Sequence, residues 1–286
     1  MSTQHTLTTR EDRAQARRRR TRRHIAIAGT STVVVLGGLA ARIVTARGWP
    51  SVRRTFFSAH RFSQAFGGIL SGFWLDVRLF LIVEVCVLAL ALLIALIRTF
   101  DIPALFPLKL LCIVFVDVMR GIPTILLVYL VGFSVPALNL KGLPNNEVVL
   151  GGAALAMCYS AYVSEVFRAG LMSIHPSQGA AALALGLSPA QALRAVIVPQ
   201  AVRRVAPPLL NDFIALQKDV ALVSILGPQE AFRVAQIFQD QYFNFTPLLG
   251  AAALYLCVTI PMTRFVDHLQ ARTLRARGPS FALGPR

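Results

Sequence analysis

The sequence predicts an all-α fold: a polytopic transmembrane helical bundle of about six spans, with a helix-Gly-helix segment on its cytoplasmic side. Three observations lead there. Of the 286 residues, 55% are hydrophobic and only 15% charged; soluble domains carry roughly a quarter charged residues, so the solvent here is lipid. The apolar residues fall in long runs separated by basic stretches and by clusters of Pro, Gly and Asn. One run, "GAAALALGLSPAQALRAVIVPQA" (179–201), is apolar enough to span a bilayer yet carries helix punctuation at its middle.

The elements follow in order. Residues 1–24 form an Arg-rich arm ending in "RAQARRRRTRRH"; it is too charged to pack and is expected to be disordered or to lie on lipid headgroups. Residues 25–41, "IAIAGTSTVVVLGGLAA", are uncharged and just long enough for an extra N-terminal span. The linker 42–70 holds Arg42, Arg47, Arg53, Arg54 and Arg61. Further apolar runs cover about 73–97, 110–137, 148–167, 205–227 and 246–263, within a transmembrane domain over 71–270. "PALNLKGLPNNE" is a loop by its helix breakers. Residues 271–286 are a basic tail. Every span must be helical, because an open strand edge cannot be satisfied in hydrocarbon.

Charge sets the orientation. Only Lys109, Lys141 and Lys218 are lysines, so 26 of the 29 basic residues are Arg (29 − 3). A net charge of +16 suits either nucleic acid or the positive-inside pattern of a membrane protein. Placement favours the second. The N-terminal arm, the C-terminal region from Arg264 onward, and Arg168, Arg194, Arg203 and Arg204 all fall inside if both termini are cytoplasmic. The linker 42–70 is the exception. The arm and the first apolar run also resemble a twin-arginine export signal, whose cleavage would remove one span and keep the orientation.

The punctuated segment is built as two helices. Pro176 opens the first, since a first-turn residue needs no amide hydrogen. Gly186 stands where a helix end takes a left-handed residue. Ser188, Pro189 and Gln191 form a capping box that starts the second. Each half is expected to be too short to cross a bilayer, and the small side chains of the first allow another surface to approach closely.

With those residues in place, the segment resembles the cytoplasmic EAA loop of ATP-binding-cassette importer permeases. Ala180, Ala181 and Ala182 stand at the Glu-Ala-Ala triplet, Gly186 falls in register, and "IVP" ending at Pro199 matches the close of the motif. "MRGIPTILLVYL" (119–130), "SAYVSEVFRAGLMSI" (160–174) and "NDFIALQKDVALVSILG" (211–227) resemble the polar amino acid branch, the histidine, glutamine and glutamate type. The resemblance covers about 73–270. It departs at Ala180, where Glu is usual, at Val198, where Leu is usual, and at "KDVAL" (218–222), which lacks a hydroxyl pair.

The resemblance implies a permease in the cytoplasmic membrane of a prokaryote. Its coupling loop, 176–200, would dock on a cytoplasmic ATPase dimer that binds ATP and magnesium. A second copy or a related permease would complete the path, and an extracytoplasmic solute-binding protein would deliver an amino acid. Ala180, Ala181, Ala182, Gly186, Ser188 and Pro199 are the expected docking residues. The missing Glu at 180 would remove one contact, about 1 kcal/mol by analogy with a helix cap.

Charges in apolar runs are costly, roughly 3 kcal/mol or more near mid-bilayer, so they face the interior and pair, or mark a path. Glu84, Glu165, Lys218 and Asp219 are the candidates for a translocation path; Glu84 is the deepest, and an ordinary structural pair remains the competing reading for it. Asp76 and Arg78 are expected to snorkel at the outer interface. Lys218 and Asp219 are adjacent, so each needs its own partner. Cys86, Cys112, Cys158 and Cys257 sit in apolar runs without CxxC spacing and read as small buried hydrophobes, with no metal site.

The chain has no phosphate loop, no G-x-S-x-G and no H-E-x-x-H. It is therefore read as a transport subunit rather than an enzyme, with no cofactor of its own and no nucleic acid partner. A passive channel would not need the hairpin, and a membrane-tethered scaffold with a basic arm would leave it unexplained.

Overall fold

In the computed structural model, the described backbone covers residues 3–99, 102–139 and 141–276, and the described side chains cover 24–99, 102–139 and 141–272. Residues 277–286 of the basic tail and the side chains of residues 1–23 in the Arg-rich arm lie outside the described residues. Every element among the described residues is helical. The chain divides into two units, Met1–Phe57 and Ser58–Arg286.

The first unit holds α1 (Thr3–Val44) and α2 (Trp49–Phe56). The arm's backbone is helical and continuous with the apolar run behind it. Over His24–Val44 no side chain is buried, and a helix apolar on all sides suits lipid. Pro50 stands in the first turn of α2, where its missing N–H costs nothing.

The second unit holds α3 (Ala59–Thr99), α4 (Phe106–Gly121), α5 (Thr124–Ala137), α6 (Glu147–Met172), α7 (Pro176–Ala184), α8 (Pro189–Ala192), α9 (Val198–Asp219), α10 (Ala231–Tyr242) and α11 (Thr246–Ala276). A helix rises 1.5 Å per residue, so the 41 residues of α3 run about 60 Å, twice the ~30 Å hydrocarbon core. Leu79, Phe80, Val83, Val87 and Ala91 form one buried stripe of α3, at the spacing a single helix face demands. That stripe packs on Ala154, Leu155, Cys158 and Tyr159 of α6, with Leu216 of α9 and Val220 and Val223 beyond it. Helix α6 is the hub: Gly151, Gly152, Ala154, Ser160, Ala161 and Ser164 are all buried. Such small side chains let neighbouring helices come close where lipid supplies no hydrophobic drive. Its start is capped by Asn146, whose side chain accepts from Val149 N at 3.0 Å.

Against the expectation of about six spans, four helices among the described residues are long and apolar enough to cross a membrane by length and composition: the His24–Val44 part of α1, the helix ending at Thr99, α6 and α11. The run 110–137 is not one straight span. It breaks into α4 and α5, bent by 107°. The cause is Pro123, whose ring pushes the preceding residue out of the helical region; Ile122 sits at φ −94°, ψ 132°. Counting this bent pair as one span makes five. The expected span at 205–227 is a helix to Asp219 followed by a 3₁₀ turn, Val220–Leu226. Helix α9 has the length, but Arg203, Arg204, Asp212, Lys218 and Asp219 take it out of the apolar class.

Two further expectations fail. Asp76 does not snorkel: it is 3% exposed, and its Oδ2 accepts from the Tyr255 hydroxyl at 2.6 Å. Burial is tolerated because α11 brings a donor to it. Arg78 is exposed, with its guanidinium 5.2 Å from the Trp74 ring centre. Cys112 and Cys158 are buried, but Cys86 and Cys257 are exposed, on faces of α3 and α11 whose apolar neighbours also point outward.

Gly72 allows α3 to meet the start of α10. A Cβ there would lie 2.5 Å from the Glu230 carbonyl carbon and 2.6 Å from Ala231 N. Backbone cannot yield as a side chain can, so Gly72→Ala must separate the two helices, at about 1–3 kcal/mol. The expected outcome is a lower melting temperature for the detergent-purified protein; an unchanged one would show that α3 and α10 do not meet here.

Candidate functional site: the punctuated hairpin and the charges behind it

The hairpin begins where α6 ends. Ser173 closes α6, and its carbonyl accepts from Arg204 Nη1 of α9. His175 is the N-cap of α7, with Nδ1 accepting from Ser177 N at 3.2 Å, and Pro176 takes the first turn. Ala182 is buried against the structure, at 3% exposed, whereas Ala180 and Ala181 are exposed.

At the far end of α7 the chain reverses through a Schellman turn. Leu187 N bonds Ala182 O at 3.2 Å, and Gly186 N bonds Leu183 O at 3.0 Å. Gly186 has φ +84°, a conformation that side chains disfavour. The turn lifts Leu185 to 84% exposed.

The next helix starts as its sequence requires. Gln191 N bonds Ser188 Oγ at 3.3 Å, and Ser188 N bonds Gln191 Oε1 at 2.8 Å. This is the expected capping box, in full. The second half of the hairpin is not, however, an isolated short helix. It continues from α8 through a π turn, Leu193–Ile197, into α9. Val198 N bonds Leu193 O across that turn. Exposed Pro199 follows within the first turn of α9, where it has no amide hydrogen to leave unsatisfied. The second half of the hairpin is therefore the end of a long helix that runs on into α9.

The charges sort into distinct groups. Glu165 of α6 is engaged by two guanidiniums: Arg98 Nη1 from the end of α3 and Arg168 Nη2 at 2.7 Å. Glu84 lies half-buried on α3 and faces the electrostatic influence of Asp212 on α9. Asp219 accepts from the Tyr159 hydroxyl at 2.8 Å. Lys218 points away from that bond, into a cavity of about 580 Å³ shared with Tyr255 and Thr259. Asp117, on α4, is exposed. The four path candidates thus do not converge on one point: Glu165 belongs to an ion-pair cluster, Glu84 to the α3–α9 contact, and Lys218 and Asp219 to opposite sides of the end of α9.

Two acidic residues escaped the sequence reading. Asp212 has a buried Oδ2 with no hydrogen-bond partner. Its signal was available: it precedes Asp219 by seven residues, two helical turns, and so shares its face. Glu230 is 2% exposed and caps α10, accepting from Phe232 N at 2.7 Å and Arg233 N at 2.6 Å. It also receives the Tyr255 hydroxyl at 3.3 Å, which brings it beside Asp76. Nothing in its local sequence pattern announces that proximity.

Comparison with known proteins identifies relatives of the chain. Residues 105–275 match the family described as binding-protein-dependent transport system inner membrane component. The chain is 34% identical over 165 residues to the probable glutamine ABC transporter permease protein GlnP of Bacillus subtilis, covering 56% of this chain and 73% of that one. It is 35% identical over 165 residues to the glutamate/aspartate import permease protein GltK of Escherichia coli, covering 56% and 74%. Among solved structures, an amino acid ABC transporter crystallised with histidines superposes with a TM-score of 0.65 at 30% identity, over 73% of this chain and 96% of that one. The chain belongs to the family of inner-membrane components of binding-protein-dependent transport systems, the permease subunits of ATP-binding-cassette transporters.

Proposed function

We propose that this permease forms the membrane path of an importer for polar amino acids and receives the work of ATP hydrolysis through the hairpin 176–200. One observation carries the coupling claim. The hairpin is locally over-determined by a Schellman turn and a capping box, yet among the described residues its tip leaves Leu185 84% and Leu183 49% exposed. A folded, apolar, unpartnered tip fits a groove on another protein. The substrate claim is supported by the glutamine and glutamate/aspartate permeases among its relatives.

In this reading, ATP and magnesium bind to a partner ATPase, two copies of which dock on the hairpins of two permeases, identical or related. A solute-binding protein delivers the amino acid from the extracytoplasmic side, and both termini are cytoplasmic. Ala180 and Ala181, with Gly186 and Ser188, present the docking face; Ala182 packs inward and Pro199 lies at the hairpin's root. Closing of the ATPases moves the hairpins, and the helix running from Ser188 to Asp219 carries that motion into the membrane. Glu84 and Asp219 flank the path within the bundle, near Asp212. Nucleic acid plays no part.

Proline fixes φ near −65°, which Gly186 at φ +84° cannot accept. Gly186→Pro is therefore expected to abolish retention of a co-expressed ATPase by the detergent-purified permease, together with amino-acid-stimulated ATP hydrolysis. Normal uptake by the Gly186→Pro protein would sink the coupling claim. For Glu84, the isosteric Glu84→Gln is expected to lower amino acid uptake about tenfold, the effect of losing one charge contact worth about 1.4 kcal/mol. Unchanged uptake of glutamine, glutamate and arginine would make Glu84 a structural residue.

A further inference from the structure

The linker behind the first span is basic and has no acidic residue near it in the sequence. Arg42, Arg47, Arg53, Arg54 and Arg61 follow one another, and from Arg13 to Leu75 there is no Asp or Glu. Arg61 is engaged: its guanidinium lies 4.0 Å from the Tyr242 ring centre, and its Nη1 donates to Gln64 Oε1 at 2.9 Å. Arg42, Arg47 and Arg53 are exposed and form no ion pair among the described residues. A cluster of like charges repels itself unless an anion from outside the chain answers it.

Their position says which anion. The apolar span of α1 ends at Val44, and Arg42 stands in its last turn. The chain then turns tightly: Thr45 N bonds Ala41 O at 3.0 Å, and Trp49 N bonds Ala46 O at 2.9 Å. Residues a few positions beyond a span lie at the depth of the lipid headgroups. Helix α2 is amphipathic. Trp49, Val52 and Phe56 share one face, at positions i, i+3 and i+7. Arg53 borders that face, and Ser51 and Arg54 lie across from it. The Phe57 ring centre is 6.3 Å from that of Trp49, and Val52 and Phe57 are exposed. Aromatic and basic side chains together, just past the end of a span, are the composition of an interfacial element. The rings suit the upper acyl chains, and the guanidiniums reach the phosphates.

We propose that the segment from Arg42 to Phe57 is a binding surface for anionic phospholipid, in which Arg42, Arg47 and Arg53 hold headgroup phosphates and Trp49, Val52 and Phe57 rest on the acyl chains. The proposal stands on the first unit alone and does not depend on the importer reading. It also gives a reason for the linker's exception to the positive-inside pattern, since arginines held by headgroups are anchored on the side where they lie. An acidic soluble partner would answer the arginines and leave Val52 and Phe57 in water.

The chain has two tryptophans, Trp49 and Trp74, so the full-length Trp74→Phe protein reports on Trp49 alone. It is placed in nanodiscs of phosphatidylcholine mixed with phosphatidylglycerol, with one of the two lipids brominated on its acyl chains. Both brominated lipids are expected to quench Trp49, and phosphatidylglycerol more strongly at equal content, which gives its binding preference at this site. An arginine near an anionic surface is worth about fivefold in binding. Arg53→Gln is therefore expected to lower the preference about fivefold, and replacing Arg42, Arg47 and Arg53 together by Gln to abolish it. Arg53→Lys, which keeps the charge, is expected to retain it, and added salt to weaken it. The reciprocal Trp49→Phe protein reads Trp74, whose quenching is expected to be indifferent to the arginine replacements. Equal quenching of Trp49 by the two lipids would overturn the proposal, as would a preference that survives the triple replacement. A loss of equal size at Trp74 would do the same, because the effect would not be local. So would a Trp49 that no brominated lipid quenches and that only an added solute-binding protein shields, which assigns the surface to a soluble partner.

Discussion

The close packing of small residues along α6 is the contact on which the rest of this bundle depends. Lipid tails are as apolar as leucine, so helices in a membrane gain little from burying leucine against leucine. They gain from dispersion at short range, and short range requires small side chains. Gly151, Gly152, Ala154, Ser160 and Ala161 supply them on α6, and the stripes of α3 and α9 close upon them. Ser160 and Ser164 return their hydroxyls to their own helix, at Met157 O and Ala161 O, so no polar group is left facing the seam. The outward faces of the same helices carry the large apolar side chains.

This hub also explains where the charges can live. At one end of α6, Glu165 gathers Arg98 and Arg168 and ties α3 to the hairpin side of the bundle. Further along, Tyr159 reaches Asp219. On the other side of α3, Asp76, Tyr255 and Glu230 fasten α10 and α11. Each group ties together elements that are distant in sequence. The exceptions are Lys218, which has no carboxylate partner among the described residues, and two buried carboxyl oxygens without a hydrogen-bond partner, Oδ2 of Asp212 and Oδ1 of Asp76. Lys218 and Asp212 sit on α9, the helix that the hairpin would move, and Asp76 sits on α3. A transport path needs polar groups that are not consumed by the fold.

Much of the fold was legible because its signals are local. The Ser188 capping box, the left-handed Gly186 and the first-turn Pro176 are read from neighbours within four residues, and each stands in the structure as the sequence implies. The long apolar runs of α3, α6 and α11 are legible for the same reason. What escaped depends on contacts between distant segments. Asp76 looked like an interfacial residue because its partner, Tyr255, lies 179 residues away. The bend at Ile122–Pro123 carried a local signal, "GIP", but apolarity on both sides concealed it. The continuity of the hairpin with α9 was hidden by Pro199, which usually marks a boundary and here follows a π turn in an unbroken helical path. The facing of the charges on α9 needed the position of α11, which no single-sequence pattern provides.

The central claim is that the Gly186 tip is a cytoplasmic surface covered by an ATPase, and chemical accessibility at Leu185 tests it most directly. Leu185→Cys, in a chain with Cys86 and Cys257 replaced by Ser, places one reactive thiol at a highly exposed point of the hairpin. A membrane-impermeant maleimide is expected to label it in inverted vesicles and not in intact cells, and labelling is expected to fall when the ATPase is co-expressed. Labelling from the outside of intact cells, or labelling indifferent to the ATPase, would contradict the account.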